Sequence, residues 1–186
     1  GLMNPQPGWF EHDAEEDWWG SFCRLSRKVI AESSIDPHDI GCVGLSALGC
    51  DCVPVDENCT ALCNAILYGV DSRSHKEMTW LTKHYGEETE YLFGHPICSS
   101  DKILWLKNNR PEVYARTAKF LTGSSYLCAK LTGRYTIDKY LAEDFMPLYR
   151  LSDNTIDEAH CGLFCRPDQL AEVYYATDIA GGVTAK

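Results

Sequence analysis

The stretch from Ile40 to Asp56, IGCVGLSALGCDCVPVD, constrains the chain more than any other. It holds one apolar run, Ile40 to Ser46, a small-residue turn around Gly49, and a second apolar run, Cys52 to Val55, closed by Asp56-Glu-Asn58. Short apolar runs bounded by turn residues read as buried strands. The stretch therefore predicts a strand, a turn, and a second strand returning beside the first. A polar, aromatic-tipped segment follows at Ile66-Leu-Tyr-Gly-Val-Asp-Ser-Arg73. Small residues let a backbone approach a ligand closely, and loops at the ends of buried strands carry ligands in open α/β sheets. A small polar molecule is expected where Gly49 to Asp51 meets Tyr68 to Arg73.

The elements on either side follow from periodicity and capping. Residues 1–12 read as loop, kept extended by Pro5 and Pro7. Asp13 is the predicted N-cap of a helix running to about Ser33, with acidic residues in its first turn where the helix dipole favours them. Trp18, Phe22, Leu25 and Val29 recur at helical spacing, widened by Trp19, Cys23 and Ile30, and mark a core face. After Asp56 come an extended piece, Ala65 to Tyr68, and a helix from Ser72 to His84 with Met78 and Leu81 inward. A shorter helix is expected from Glu87 to Phe93, ended by Gly94-His-Pro96. A helix from Asp101 to Asn109 buries Ile103, Leu104 and Trp105, and Pro111 opens the next, Glu112 to Thr117. Lys119 to Thr122 is a strand. Ser124 or Ser125 caps a helix to Leu131, which Gly133 closes. Tyr135 to Asp138 is extended, Lys139 to Phe145 is helical, and Asp153 caps a helix from Asn154 to Phe164. Residues 166–186 are loop with one strand. The mixture means α/β, with the helices between 73 and 145 forming a layer or insertion on a small sheet.

The length of 186 residues suits one large domain. A formal charge of −10 argues against a nucleic-acid partner, which would want a basic face. No apolar run approaches the ~20 residues that span a bilayer, and the first residues lack the basic and apolar regions of a signal peptide. The expected location is cytoplasmic. Ten cysteines invite a metal reading, with Cys50, Cys52, Cys59 and Cys63 spaced C-x-C-x6-C-x3-C and Cys161 and Cys165 beside His160. Zinc sites favour C-x2-C knuckles or paired Cys and His, which this spacing lacks. Cysteine is also a common small core residue, and Cys23, Cys42 and Cys128 fall at expected core positions. The sequon Asn58-Cys-Thr60 is set aside without a secretion signal. No G-x-x-x-x-G-K-[ST] or G-x-G-x-x-G phosphate loop occurs.

Five segments, in order, carry a resemblance to a known family. Pro5-Gln-Pro-Gly-Trp9, with Glu11, Asp13 and Asp17-Trp-Trp19, matches an opening of the form PxPGWxEQDPxxWW. Ile40 to Val55 matches a strand–turn–strand around a sugar site. Ala65 to Arg73 matches AILWxDxR. Lys102-Ile-Leu-Trp-Leu106 with Glu112-Val-Tyr-Ala-Arg116 matches KLLWLxxxxPEVYAR. Ser125 to Gly133 matches DYLxxxLTG. In these segments the chain resembles the FGGY carbohydrate kinases, especially their xylulokinase-like branch.

The resemblance implies an RNase H-like domain of the actin-like ATPase superfamily, incomplete and with a helical insertion. Residues 1–186 would be most of the N-terminal sugar-binding domain. The family's D-x-G-T hairpin is expected before Gly1, and its catalytic Asp after Lys186, so no catalytic residue is assigned within the chain. The parent enzyme would use ATP and Mg²⁺ to phosphorylate a hydroxyl of a pentulose or related sugar or polyol, and this part alone is expected to be inactive. The alternative is a non-catalytic sugar-binding or regulatory module. The partner is a small sugar or polyol, with no nucleic acid, no membrane and no metal site in the chain, and a homodimer is admitted as its assembly.

Gly49, Cys50, Asp51, Tyr68, Asp71 and Arg73 are the expected substrate-side residues. Where xylulokinases carry Gln-Met-His-Gly this chain has Leu48-Gly-Cys-Asp51, which puts xylulose itself in doubt. Asp51 could accept sugar hydroxyl hydrogen bonds or serve only its own turn. Tyr68 could cover the apolar face of a sugar or pack as core. Asp71 and Arg73 could form an exposed local ion pair of small worth. Lys102 and the Asp138/Asp144 region are lesser candidates.

Overall fold

Asp13 caps the first helical segment as its position predicts: Oδ1 accepts from the Glu15 and Glu16 amides at 2.9 and 3.0 Å. In this computed structural model, which describes residues 1–85 and 99–184, the segment runs as a π-helical stretch, Ala14–Gly20, into α1, Ser21–Ser33. The predicted helix at Glu87 to Phe93 and the Gly94-His-Pro96 end lie outside the described residues.

The strands are short and pair mainly with distant segments. β1 (Glu11–His12) pairs antiparallel with β3 (Ala65–Ile66). Ile66 also pairs with Cys52, and Glu11 with Met3, so four segments lie side by side in the order Met3, β1, β3, Cys52. One residue on, β2 (Val53–Val55) pairs antiparallel with β4 (Lys119–Leu121). All three residues of β2 are buried, which at about 1.5–3 kcal/mol for a fully buried Val makes this strand an anchor of the core. β5 (Thr136–Asp138) pairs in parallel with β8 (Glu172–Tyr174), and β6 (Tyr149–Arg150) forms a small hairpin with β7 (Thr155–Ile156).

Helices pack around these pairs. α3 (Ser100–Asn109) lies against α2 (His75–Tyr85), α4 (Pro111–Arg116) and α7 (Glu158–Phe164). It is buried from Ser100 to Leu106, the charged Asp101 and Lys102 included. α5 (Gly123–Thr132) follows β4 directly, and α6 (Lys139–Glu143) follows β5. The core joins Phe120, Leu121, Tyr126, Phe145, Tyr149 and Phe164 to the buried face of α3.

The predicted buried strand at Ile40 to Ser46 is not there. These residues form an exposed coil in which Ile40 and Val43 are each 44% exposed, so no strand returns beside it. A strand persists where its backbone groups find partners. Among the described residues no segment offers them to residues 41–48. The predicted core face of α1 is likewise only partly covered. Trp18, Trp19 and Phe22 pack on the core, but Leu25 and Val29 are each 61% exposed. Cys42, expected inside, is exposed, whereas Cys50, Cys52, Cys59, Cys161 and Cys165 are buried.

Two caps also differ from the sequence reading. Thr122, extended at its own φ/ψ, caps α5 by accepting from the Ser125 amide, ahead of either serine. Asp153 instead serves the β6–β7 hairpin: its Oδ1 accepts from the Thr155 hydroxyl at 2.6 Å, and its Oδ2 from Arg150 Nε at 2.9 Å. Asp157 is the cap of α7, accepting from the Ala159 amide at 3.1 Å.

Candidate functional site

The turn before β2 is fastened to the segment after β3. Cys52 and Ile66 exchange both backbone hydrogen bonds at 3.0 Å. One residue earlier, Asp51 Oδ1 accepts from the Tyr68 amide at 3.0 Å. The turn closes on itself through the Asp51 amide and the Gly49 carbonyl, at 2.9 Å, while the Ser99 hydroxyl donates to the Cys50 carbonyl at 2.7 Å. This geometry sets the Tyr68 ring against Gly49, where a Cβ would stand 3.6 Å from the ring.

On the other side stands the N-terminal turn of α5. A Cβ on Gly123 would lie 3.1 Å from Ala47 Cβ and 3.4 Å from both Asp51 Oδ2 and the Trp18 ring. Ala47, Gly49 and Asp51 from one turn thus converge with Trp18, Tyr68 and Gly123 from three other parts of the chain. Gly49 and Tyr68 are partly exposed, whereas Cys50 and Asp51 are buried. An aromatic face beside bare backbone can receive a compact hydroxylated molecule.

Beneath the turn is a buried polar cluster. Asp51 is 0% exposed, and its Oδ2 has no hydrogen-bond partner. Burial pushes its carboxyl up to about 6, against the opposing pull of the Tyr68 amide and the Lys102 ammonium. Lys102, 1% exposed, has its Nζ 4.0 Å from Asp101 Oδ1. Asp101 Oδ2 accepts from the Ser74 hydroxyl. Burial raises the Asp101 carboxyl too, with Lys102 and Ser74 opposing.

Asp71 and Arg73 sit in a second buried network. The guanidinium grips Asp71 through Nε, at 2.9 and 3.0 Å, and Nη2, at 2.8 Å, and reaches Glu11 through Nη1 at 2.8 Å. It lies 4.3 Å over the Trp9 ring and 5.2 Å from that of Trp105. Asp71 Oδ2 also accepts from the Phe10 amide at 2.6 Å. The pair expected at the surface is sealed, and it clamps residues 9–11 to 71–73. Asp138 caps α6 by accepting from the Tyr140 amide, and the Asp144 carbonyl accepts from the Ser99 amide.

Trp18, Ala47, Ser74, Ser99, Asp101 and Gly123 were not singled out as site residues in the sequence. The available signal was Asp101-Lys102 directly before the apolar run Ile103 to Leu106. Two cavities lie elsewhere: one of about 630 Å³ lined by Lys119, Tyr135, Tyr149 and Asn154, and one of about 320 Å³ beside Arg73, Cys63 and Arg110.

Across residues 2–186 the chain matches the N-terminal domain of the FGGY family of carbohydrate kinases. The chain belongs to this family. It is 29% identical over 199 residues to a protein named probable L-xylulose kinase from Pasteurella multocida, covering 100% of this chain and 39% of the relative. A glycerol kinase from Thermococcus onnurineus is 28% identical over 185 residues, which cover 95% of this chain and 37% of the relative. Glycerol kinase from Plasmodium falciparum, solved with ADP, superposes with a TM-score of 0.85 at 23% identity, covering 100% of this chain and 39% of that one. This FGGY domain therefore spans well under half the length of such relatives. Among its described residues no group of three His, Cys, Asp or Glu side chains converges as a metal site requires.

Proposed function

We propose that residues 1–186 are most of the N-terminal, sugar-binding domain of an ATP-dependent carbohydrate kinase, with the RNase H-like architecture of the actin-like ATPases. The acceptor is a hydroxyl of a pentulose or related sugar or polyol. The family match across residues 2–186 carries this reading. The relatives' names, L-xylulose kinase and glycerol kinase, support the substrate class.

Phosphoryl transfer needs Mg²⁺, donors around the phosphates and a base at the attacking hydroxyl. The described residues do not fit that requirement: they gather no metal cluster, and the acid nearest the turn is sealed beneath it. We assign the nucleotide, its Mg²⁺ and the catalytic base to residues outside this chain, and this part alone to substrate holding. Gly49 and Tyr68 form the wall that meets the substrate, with Trp18 and Gly123 opposite. Cys50 and Asp51 support that wall from below, and Asp71 and Arg73 support it from behind. The protein works in the cytoplasm, and a homodimer fits the reading.

The test is ADP release by the complete protein containing this chain, with D-xylulose, L-xylulose, glycerol and gluconate as acceptors. Sugar-dependent ADP formation is expected with at least one. No ADP with any of them, while a sugar still raises the melting temperature, would instead establish a non-catalytic sugar-binding module. Tyr68→Ala is expected to raise KM about three- to ten-fold, the worth of an aromatic face contact of ~0.5–1.5 kcal/mol. An unchanged KM would remove Tyr68 from the wall.

A further inference from the structure

Below the candidate wall lies an acid that has lost its water and gained a single partner. Asp51 is wholly buried, its Oδ1 is taken by the Tyr68 amide, and its Oδ2 bonds to nothing and faces Gly123. An ionised carboxylate offers about four acceptor sites. Leaving all but one unmet in the core is costly, far more so than burying the neutral acid.

The charges nearby point the same way. Two buried carboxylates, Asp51 and Asp101, share one buried ammonium, Lys102. Asp101 also keeps one oxygen, Oδ1, without a hydrogen bond, but Lys102 Nζ stands 4.0 Å from it and the Ser74 hydroxyl donates to the other oxygen. The Cys52 thiol, next in the chain, is held protonated by burial. The segment after β3 brings the Tyr68 ring, while its charged pair Asp71 and Arg73 is bound into the separate network with Glu11. From α5 comes the positive end of the helix at Gly123, with no charged side chain in its first turn. That end favours ionisation and works against burial. From the 14–20 segment comes Trp18, whose indole donates to His12 Nδ1 at 3.1 Å.

We propose that Asp51 is a positioning residue held in the core as the neutral acid in mildly acidic solution, where its one bonded oxygen fixes the Tyr68 backbone. Ionising Asp51 makes it compete with Asp101 for the Lys102 ammonium and shifts the Tyr68 backbone it holds. The consequence for a sugar rests on the function proposed above, but the proton does not.

The test is nuclear magnetic resonance from pH 4.5 to 7.5 on the complete protein containing this chain, labelled at its aspartate carboxyl carbons and tyrosine amides. The Asp51 carboxyl carbon and the Tyr68 amide are expected to titrate together, with a midpoint within about one unit of 6. In D51N, where the amide mimics the neutral acid, the Tyr68 signal is expected to stay at its low-pH position. An Asp51 carbon that is ionised throughout overturns the proton assignment, and this measurement needs no variant to fold. A Tyr68 amide that stays still while Asp51 titrates, or titrates equally in D51N, overturns the positioning role. Each of these results stands whether or not the complete protein releases ADP, so the two proposals fail separately.

Discussion

Burial lifts the Asp51 carboxyl from an ordinary 3.8 to about 6, so between those values the folded chain keeps a proton that the unfolded chain has released. The stability tied to this proton is fully present below about pH 4 and is lost as pH rises through about 6. A shift of this size corresponds to roughly 3 kcal/mol at most. Urea unfolding at pH 4.5 and 7.5 should show the loss in the wild type, and Asp51→Asn should be less sensitive over the same interval. Equal slopes in both proteins would place the pH dependence elsewhere. Gly8 makes a second point at this scale. Its φ is +80°, and an added Cβ would collide with the Ser72 hydroxyl, which itself donates to the Gly8 carbonyl. Gly8→Ala is expected to cost about 1–3 kcal/mol in urea unfolding. The sequence singled out Gly49, Asp51 and Tyr68 because turn residues and an aromatic stood near apolar runs. It offered no sign of Gly123 or Trp18, which reach the site only through tertiary contacts.

The Arg73 clamp and the face of α1 show how one kind of pattern leads to different surroundings. Arg73 holds Asp71 and Glu11 out of water and stacks on Trp9, so removing it leaves two carboxylates without their shared cation. Arg73→Met is expected to destabilise by about 3–5 kcal/mol, again read by urea unfolding. A loss below about 1 kcal/mol would mean that the network is solvated. Helical periodicity marks Leu25 and Val29 as core, and the run Ile103 to Trp105 in α3 is expected to be buried. Yet Leu25 is exposed and Leu106 is fully buried. Leu25→Gln should change stability by less than about 0.5 kcal/mol, whereas Leu106→Ala should cost about 2–5 kcal/mol. Periodicity reports that a helix has an apolar face, but not which neighbour covers it. The same gap explains the coil at residues 40–48, whose composition favours a strand but which finds no partner among the described residues. Local signals succeeded where the partners were local too: the Asp13 cap, Pro111 opening α4, and Gly133 closing α5 in the left-handed region.

At the scale of the molecule, the sequence carried the family through five ordered segments, and the match across residues 2–186 bears that out. The path of the chain between those segments was less legible, because the pairings that build the core join residues far apart. β2 finds β4 across more than sixty positions, and β5 finds β8 in parallel. Among the described residues the longest hydrogen-bonded tie belongs to the capped segment just before α1, where both carboxylate oxygens of Glu15 accept from Lys130, 115 positions later, at 3.0 and 2.9 Å. That separation sets a schedule for the nascent chain. A ribosome adds about 5–20 residues per second, so the opening segment waits roughly 6 to 23 seconds after synthesis before its partner exists. Through that interval Trp18, Trp19 and Phe22 have no finished core to enter, so their burial has to follow the synthesis of α5.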